Sequence, residues 1–131
     1  MLPDELPHGH YPYQAPIDAY GNGGFRFAGM SHRGSLLCLP TGMHAWPVSG
    51  PEDVTVEVLR PVLDIAGSID VLFIGCGPDI APLDPAIRAA FRERHVIVEA
   101  VATRSAVSTY NILLAEQRPI AAALIAVERG R

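Results

Sequence analysis

Gly75-Cys76-Gly77-Pro78 follows directly on the apolar run of residues 69–74. A glycine pair at the end of a strand is half of the turn with which dinucleotide-binding domains approach a pyrophosphate. Glu99, at the end of the next β-type run, stands where a ribose-binding acid would sit. The fingerprint is incomplete, because its third glycine position holds Ile80 and Pro78 lacks the N–H that a phosphate cradle needs. The plainer reading is a tight structural turn, with at least one glycine at positive φ where a Cβ would clash. Cys76 becomes a nucleophile only if a cation such as Arg118 lowers its pKa and the thiol stays partly exposed. The sequence pairs no histidine with it, and the plainer reading is a small, half-buried side chain filling a turn.

The second group of polar residues lies along residues 103–118. Asn111 interrupts an apolar helical stripe, so its amide needs a partner if buried, and the Gly75-to-Gly77 turn is one such partner. Tyr110 and Arg118 can meet the same surface, placing an aromatic ring, an amide and a guanidinium where α/β sheets bind ligands. The competing reading is a hydrogen-bonded brace, with Arg118 paired to Glu116 or Asp79. Ser105, Ser108 and Thr109 have neither a histidine nor a Gly-x-Ser-x-Gly elbow, and read as a polar helix face. His8 and His10 are too few ligands for a metal site, and His32, His44 and His95 are scattered. The candidate binding residues are therefore Gly75, Cys76, Gly77, Thr103, Tyr110, Asn111 and Arg118, with no catalytic set, no metal and no cofactor expected.

These residues need elements to position them. Residues 1–16 hold prolines, histidines and tyrosines without an apolar period, which predicts an irregular arm. Residues 17–20 and 25–27 flank Gly21-Asn22-Gly23-Gly24 and predict a hairpin; residues 35–39 predict a third strand of a meander. Residues 41–51 read as a loop carrying Trp46, and Thr55 as the cap of a short helix to about Ala66 that Pro61 disturbs. Residues 69–74 are a central strand, and Asp84-Pro85 starts a helix ending near Arg94. Residues 96–98 are a buried strand, Thr103 caps a helix running to Glu116, and residues 120–127 are a last strand. The pattern as a whole predicts a single α/β domain over 17–127 with a polar tail at 128–131.

The chain of 131 residues is 49% hydrophobic and 18% charged, an apolar excess that points to a largely buried sheet or a homo-oligomer interface. Its net charge of −4 offers no basic field for nucleic acid. No apolar window approaches the ~20 residues that cross a bilayer. Residues 1–10 lack a signal-peptide pattern, and Cys38 and Cys76 read as reduced, which together imply a cytoplasmic protein.

Ala19-Tyr20-Gly21 with Gly23-Gly24-Phe25, then Ile74-Gly75-Cys76-Gly77, then Thr103-x-x-Ala106-x-x-Thr109-Tyr110-Asn111 with Glu116-x-Arg118 and Ala121-Ala122-Ala123-Leu124 form an ordered constellation. Over about residues 17–125 it resembles the family of small domains that includes complex I assembly factor 3 and many bacterial proteins of unknown function. The resemblance implies three layers: a central mixed β-sheet, helices on one side and a small β layer on the other. It also implies a protein partner and a non-catalytic role assisting assembly of a respiratory or membrane-associated complex. Two departures stand out: such proteins usually carry Gly-Thr-Gly in place of Gly75-Cys76-Gly77, and Glu-Gly-Arg in place of Glu116-Gln117-Arg118. The alternative is a small-molecule binder or enzyme with a cleft near Cys76, Asn111 and Arg118. A deep pocket converging on those residues favours it; braced polar groups favour the protein-binding factor.

Overall fold

A computed structural model describes residues 10–130. The proline-rich arm contributes β1 (His10–Tyr11), which pairs antiparallel with Met43 and His44. Asn22-Gly23, at φ 53° and 77°, makes a left-handed two-residue turn compatible with strand twist, and joins β2 (Ala19–Gly21) to β3 (Gly24–Phe27). Ala28-Gly29 repeats the device at φ 52° and 75°. The third strand of this small antiparallel sheet is β4 (Met30–Arg33), and the expectation that residues 35–39 complete the meander is corrected, since they belong to the main sheet.

β5 (Ser35–Leu39) is followed at once by β6 (Gly42–Trp46), so the loop expected over 41–51 is corrected to a strand over its first half. The run lacks β-branched residues, and its strand character comes from burial: Met43 fills one core and Trp46 the other. The Trp46 indole donates to the Val58 carbonyl at 2.8 Å, tying the sheet to the segment beyond it. There the helix expected over 55–66 breaks up. Thr55 does accept from Val58 N–H, but regular helix is confined to α1 (Arg60–Leu63), with Pro61 in its first turn and 3₁₀ turns on either side.

β7 (Val71–Gly75), α2 (Pro85–Arg92), β8 (Ile97–Val101), α3 (Thr103–Ala115) and β9 (Ile120–Leu124) complete the chain. Asp84 caps α2 by accepting from Ala86 N–H, as the Asp-Pro pair predicts. The main sheet runs β1-β6-β5-β9-β7-β8; β7 is parallel to β8 and β9, while β5 is antiparallel to β9. The expected central mixed sheet and separate β layer are both present. One core packs Ile87 and Phe91 of α2 and Val62 of α1 against one face; the other packs Phe25 and Phe27 of the small sheet, together with Ala106 and Tyr110 of α3, against the opposite face. Helix α3 thus shares the side of the β layer. Covered on both faces, β9 is buried throughout, and its alanines alternate between the two cores. Among the described residues no helix is long and apolar enough to cross a membrane.

Candidate functional site

The expected site residues fall into two clusters and one outlier. Gly75, Cys76, Gly77 and Thr103 meet at the carboxyl end of β7. Thr103 is the first residue of α3, behind Ala102 in extended backbone. Its expected capping role is corrected: the buried hydroxyl accepts from Gly77 N–H at 3.0 Å and donates to the Ile125 carbonyl at 2.8 Å. Backbone bonds reinforce the junction, with Thr103 N–H on the Gly77 carbonyl, Cys76 N–H on Val101 and Ile125 N–H on Gly75. The segments leaving β7, β8 and β9 are therefore joined through one threonine.

The two glycines meet different demands. Gly77 has φ 101° and nothing closer than 4.0 Å to an added Cβ, whereas a Cβ on Gly75 would lie 2.9 Å from Thr103 Cα. Positive φ and steric exclusion, expected at one position, are divided between them. Cys76 between them is buried, and its thiol points at the carbonyls of Ile74 and Ala81. Desolvation pushes its pKa up, partly offset by the Ala81 contact, so the activated-nucleophile reading is corrected: the group is a neutral thiol at pH 7.

Tyr110 and Asn111 lie two turns further along α3 and face the arm instead of the Gly75-to-Gly77 turn. The fully buried Tyr110 hydroxyl donates to the Ala15 carbonyl at 2.8 Å. Asn111 accepts from Ile17 N–H through Oδ1 and donates to the Ile17 carbonyl through Nδ2, both at 2.8 Å. This two-bond ring presents the backbone of Ile17 with the partners a neighbouring strand would supply, satisfying groups that would otherwise be orphaned. Gln14 adds a bond from its amide to the Ile120 carbonyl at 2.9 Å. Both links from Asn111 and Tyr110 to the glycine turn are thus corrected to braces on residues 15–17.

Arg118 is exposed beyond the carboxyl end of α3, about 20 Å along the helix axis from Thr103. No ion pair joins it to Glu116 or Asp79 among the described residues. Its N–H closes the helix instead, bonding to the Leu113 carbonyl at 3.0 Å while Gln117 N–H bonds to Leu114 at 2.9 Å. Among the described residues, Cys76, Asn111 and Arg118 do not converge: Cys76 is buried at the end of β7, Asn111 is held on Ile17, and Arg118 lies beyond the far end of α3. Of the histidines, His8 lies outside the described residues, and the His10 ring stacks on His44 at 4.4 Å. Desolvation, and secondarily His10, lowers the His44 pKa.

The family model described as "Protein of unknown function (DUF498/DUF598)" matches residues 17–125. The chain belongs to this DUF498/DUF598 family. An uncharacterized protein of Rhodobacter capsulatus is 39% identical over 110 residues, covering 84% of this chain and 83% of that one. The NADH dehydrogenase [ubiquinone] 1 alpha subcomplex assembly factor 3 of Xenopus tropicalis is 33% identical over 109 residues, 83% of this chain. The chain spans 60% of that assembly factor's length. A crystal structure of a protein described as an outer membrane protein from Bartonella henselae superposes with a TM-score of 0.87 at 47% identity, covering 91% of this chain and all of that one.

In this DUF498/DUF598 chain the two departures noted in the sequence have distinct structural settings. Cys76 occupies a buried turn where its side chain reaches two carbonyls. Gln117 sits at φ 61°, the left-handed position after the helix cap that glycine fills without strain. The residues that sequence reasoning missed are Gln14, Ala15 and Ile17. Ala15 and Ile17 take part through backbone atoms alone, which leave no signature in residue type; Gln14 stands among prolines with no periodicity around it.

Proposed function

We propose that this chain is a non-catalytic protein-binding factor acting on the cytoplasmic side, where it assists assembly of a respiratory or membrane-associated complex. The observation that carries the reading is the match, over 83% of the chain, to an assembly factor of NADH dehydrogenase. The braced state of Thr103, Tyr110 and Asn111 supports it, since each of these polar groups is engaged with the fold instead of a cleft. Of the two candidate binding residues best suited to a partner contact, Tyr110 is withdrawn by its burial and the exposed Arg118 is kept; Ile112, exposed on α3, joins it as a candidate for the partner surface.

The test is deletion of the gene in its native host, with native electrophoresis of the respiratory complexes. Loss of assembled NADH dehydrogenase with accumulation of partial complexes, restored by the wild-type chain, is the expected outcome. Unchanged assembly of every respiratory complex contradicts the proposal.

A further inference from the structure

A cleft of about 330 Å³ opens beside the Thr103 junction and shares Gly77 with it. Its walls come from the segments leaving the parallel strands: Gly77 and Pro78 after β7, Arg104 after β8, and Val127, Arg129 and Gly130 after β9. Tyr20 of β2 closes it, held there because Asn22 and Gly23 N–H groups bond to the carbonyls of Glu128 and Val127 at 2.8 and 2.9 Å. The chain leaving β7 passes to α2 on one face of the sheet, and that leaving β8 passes to α3 on the other. Ligands of open α/β sheets bind at such a divergence, outside the carboxyl ends of the strands.

The chemistry of the lining is specific. Arg104 of α3 and Arg129 of the segment after β9 are both exposed, and no acidic side chain lines the cleft with them among the described residues. Neither takes part in an ion pair among the described residues, in a chain whose net charge is −4. Guanidinium groups offer paired N–H donors that match the oxygens of phosphate and carboxylate, and two of them suit a dianion. Tyr20, Pro78 and Val127 supply a flat aromatic and apolar wall beside them.

We infer that this cleft binds a small organic phosphate, its dianionic head held by Arg104 and Arg129 and its organic body against Tyr20. Such binding is independent of the assembly role and survives if that role fails. The test is titration of the full chain with phenyl phosphate at low ionic strength, monitored by amide NMR and calorimetry, beside inorganic phosphate and benzoate. Saturable binding of phenyl phosphate is expected, with shifts confined to residues around 20, 77–78, 104 and 127–130. Arg104→Gln and Arg129→Gln should each weaken it about tenfold, the loss of one charge-assisted contact, without moving the unfolding midpoint of the free protein. Absence of saturation below about 10 mM, or affinity unchanged in both variants, overturns the assignment. Benzoate or inorganic phosphate binding as tightly as phenyl phosphate overturns the organic dianion as the ligand class.

Discussion

Replacing Thr103 by valine keeps nearly the same volume at a fully buried position while removing the hydroxyl that links Gly77 to Ile125. The Gly77 N–H and the Ile125 carbonyl, 3.0 and 2.8 Å from that oxygen, then lose it as a partner. A buried group left unmatched costs about 1–3 kcal/mol, so two such groups place the loss near 3 kcal/mol. For a domain of this size that corresponds to a fall of about 10 °C in the unfolding midpoint. Thr103→Ser retains the hydroxyl and gives up one methyl group, for a loss of about 1 kcal/mol. Equilibrium urea unfolding monitored by circular dichroism separates the two, provided that the slopes match that of the wild type. A valine variant within about 0.5 kcal/mol of wild type, the spread of a neutral substitution, refutes the linking role of the hydroxyl. So does a serine variant as damaged as the valine one.

Three further outcomes derive from the braces and turns. Gln117→Gly relieves a left-handed backbone position at φ 61° and should raise stability by about 1 kcal/mol in the same unfolding assay. Asn111→Ala removes both bonds to the Ile17 backbone and should cost about 2 kcal/mol, with Ile17 amide exchange accelerated beyond that of β7, β8 and β9. The His44 pKa is lowered in the folded state, so the unfolded state binds the proton more tightly. Stability from this residue is present above its ordinary value of 6.5 and falls as pH drops through the lowered folded value. Acidification should therefore loosen β1 first, read as faster proteolysis near Tyr11, and His44→Phe should remove that pH dependence.

The succession from β7 to β9 was legible because each element carries a local signal: an unbroken apolar run, Asp84-Pro85, and a stripe through Ala106, Val107 and Tyr110. Even the alanine-rich run at 121–123 resolved as a strand, since a βαβ succession needs a partner for β7 there. The features that stayed hidden depend on contacts distant in sequence. β6 has no β-branched residue and becomes a strand through pairing with β5 and burial of Met43 and Trp46. β4 was obscured because Ala28 takes a left-handed conformation that its residue type does not announce. The same holds for the candidate site. Asn111 is legible as an amide that needs a partner if buried, but that partner, and the one of Tyr110, lie 94 and 95 residues away in an arm with no periodic pattern.

Assembly factors bind incomplete complexes and leave finished ones, whereas subunits remain and enzymes need never associate. The measurement that separates these cases is to track a tagged copy of this chain on two-dimensional native gels after respiratory subunit synthesis is halted and restarted. The expected result is transient comigration with partial NADH dehydrogenase complexes and absence from the mature enzyme, weakened by Arg118→Glu with Ile112→Asp while the fold persists. A chain that runs free at every time point, or that stays in the mature complex, contradicts the assembly role.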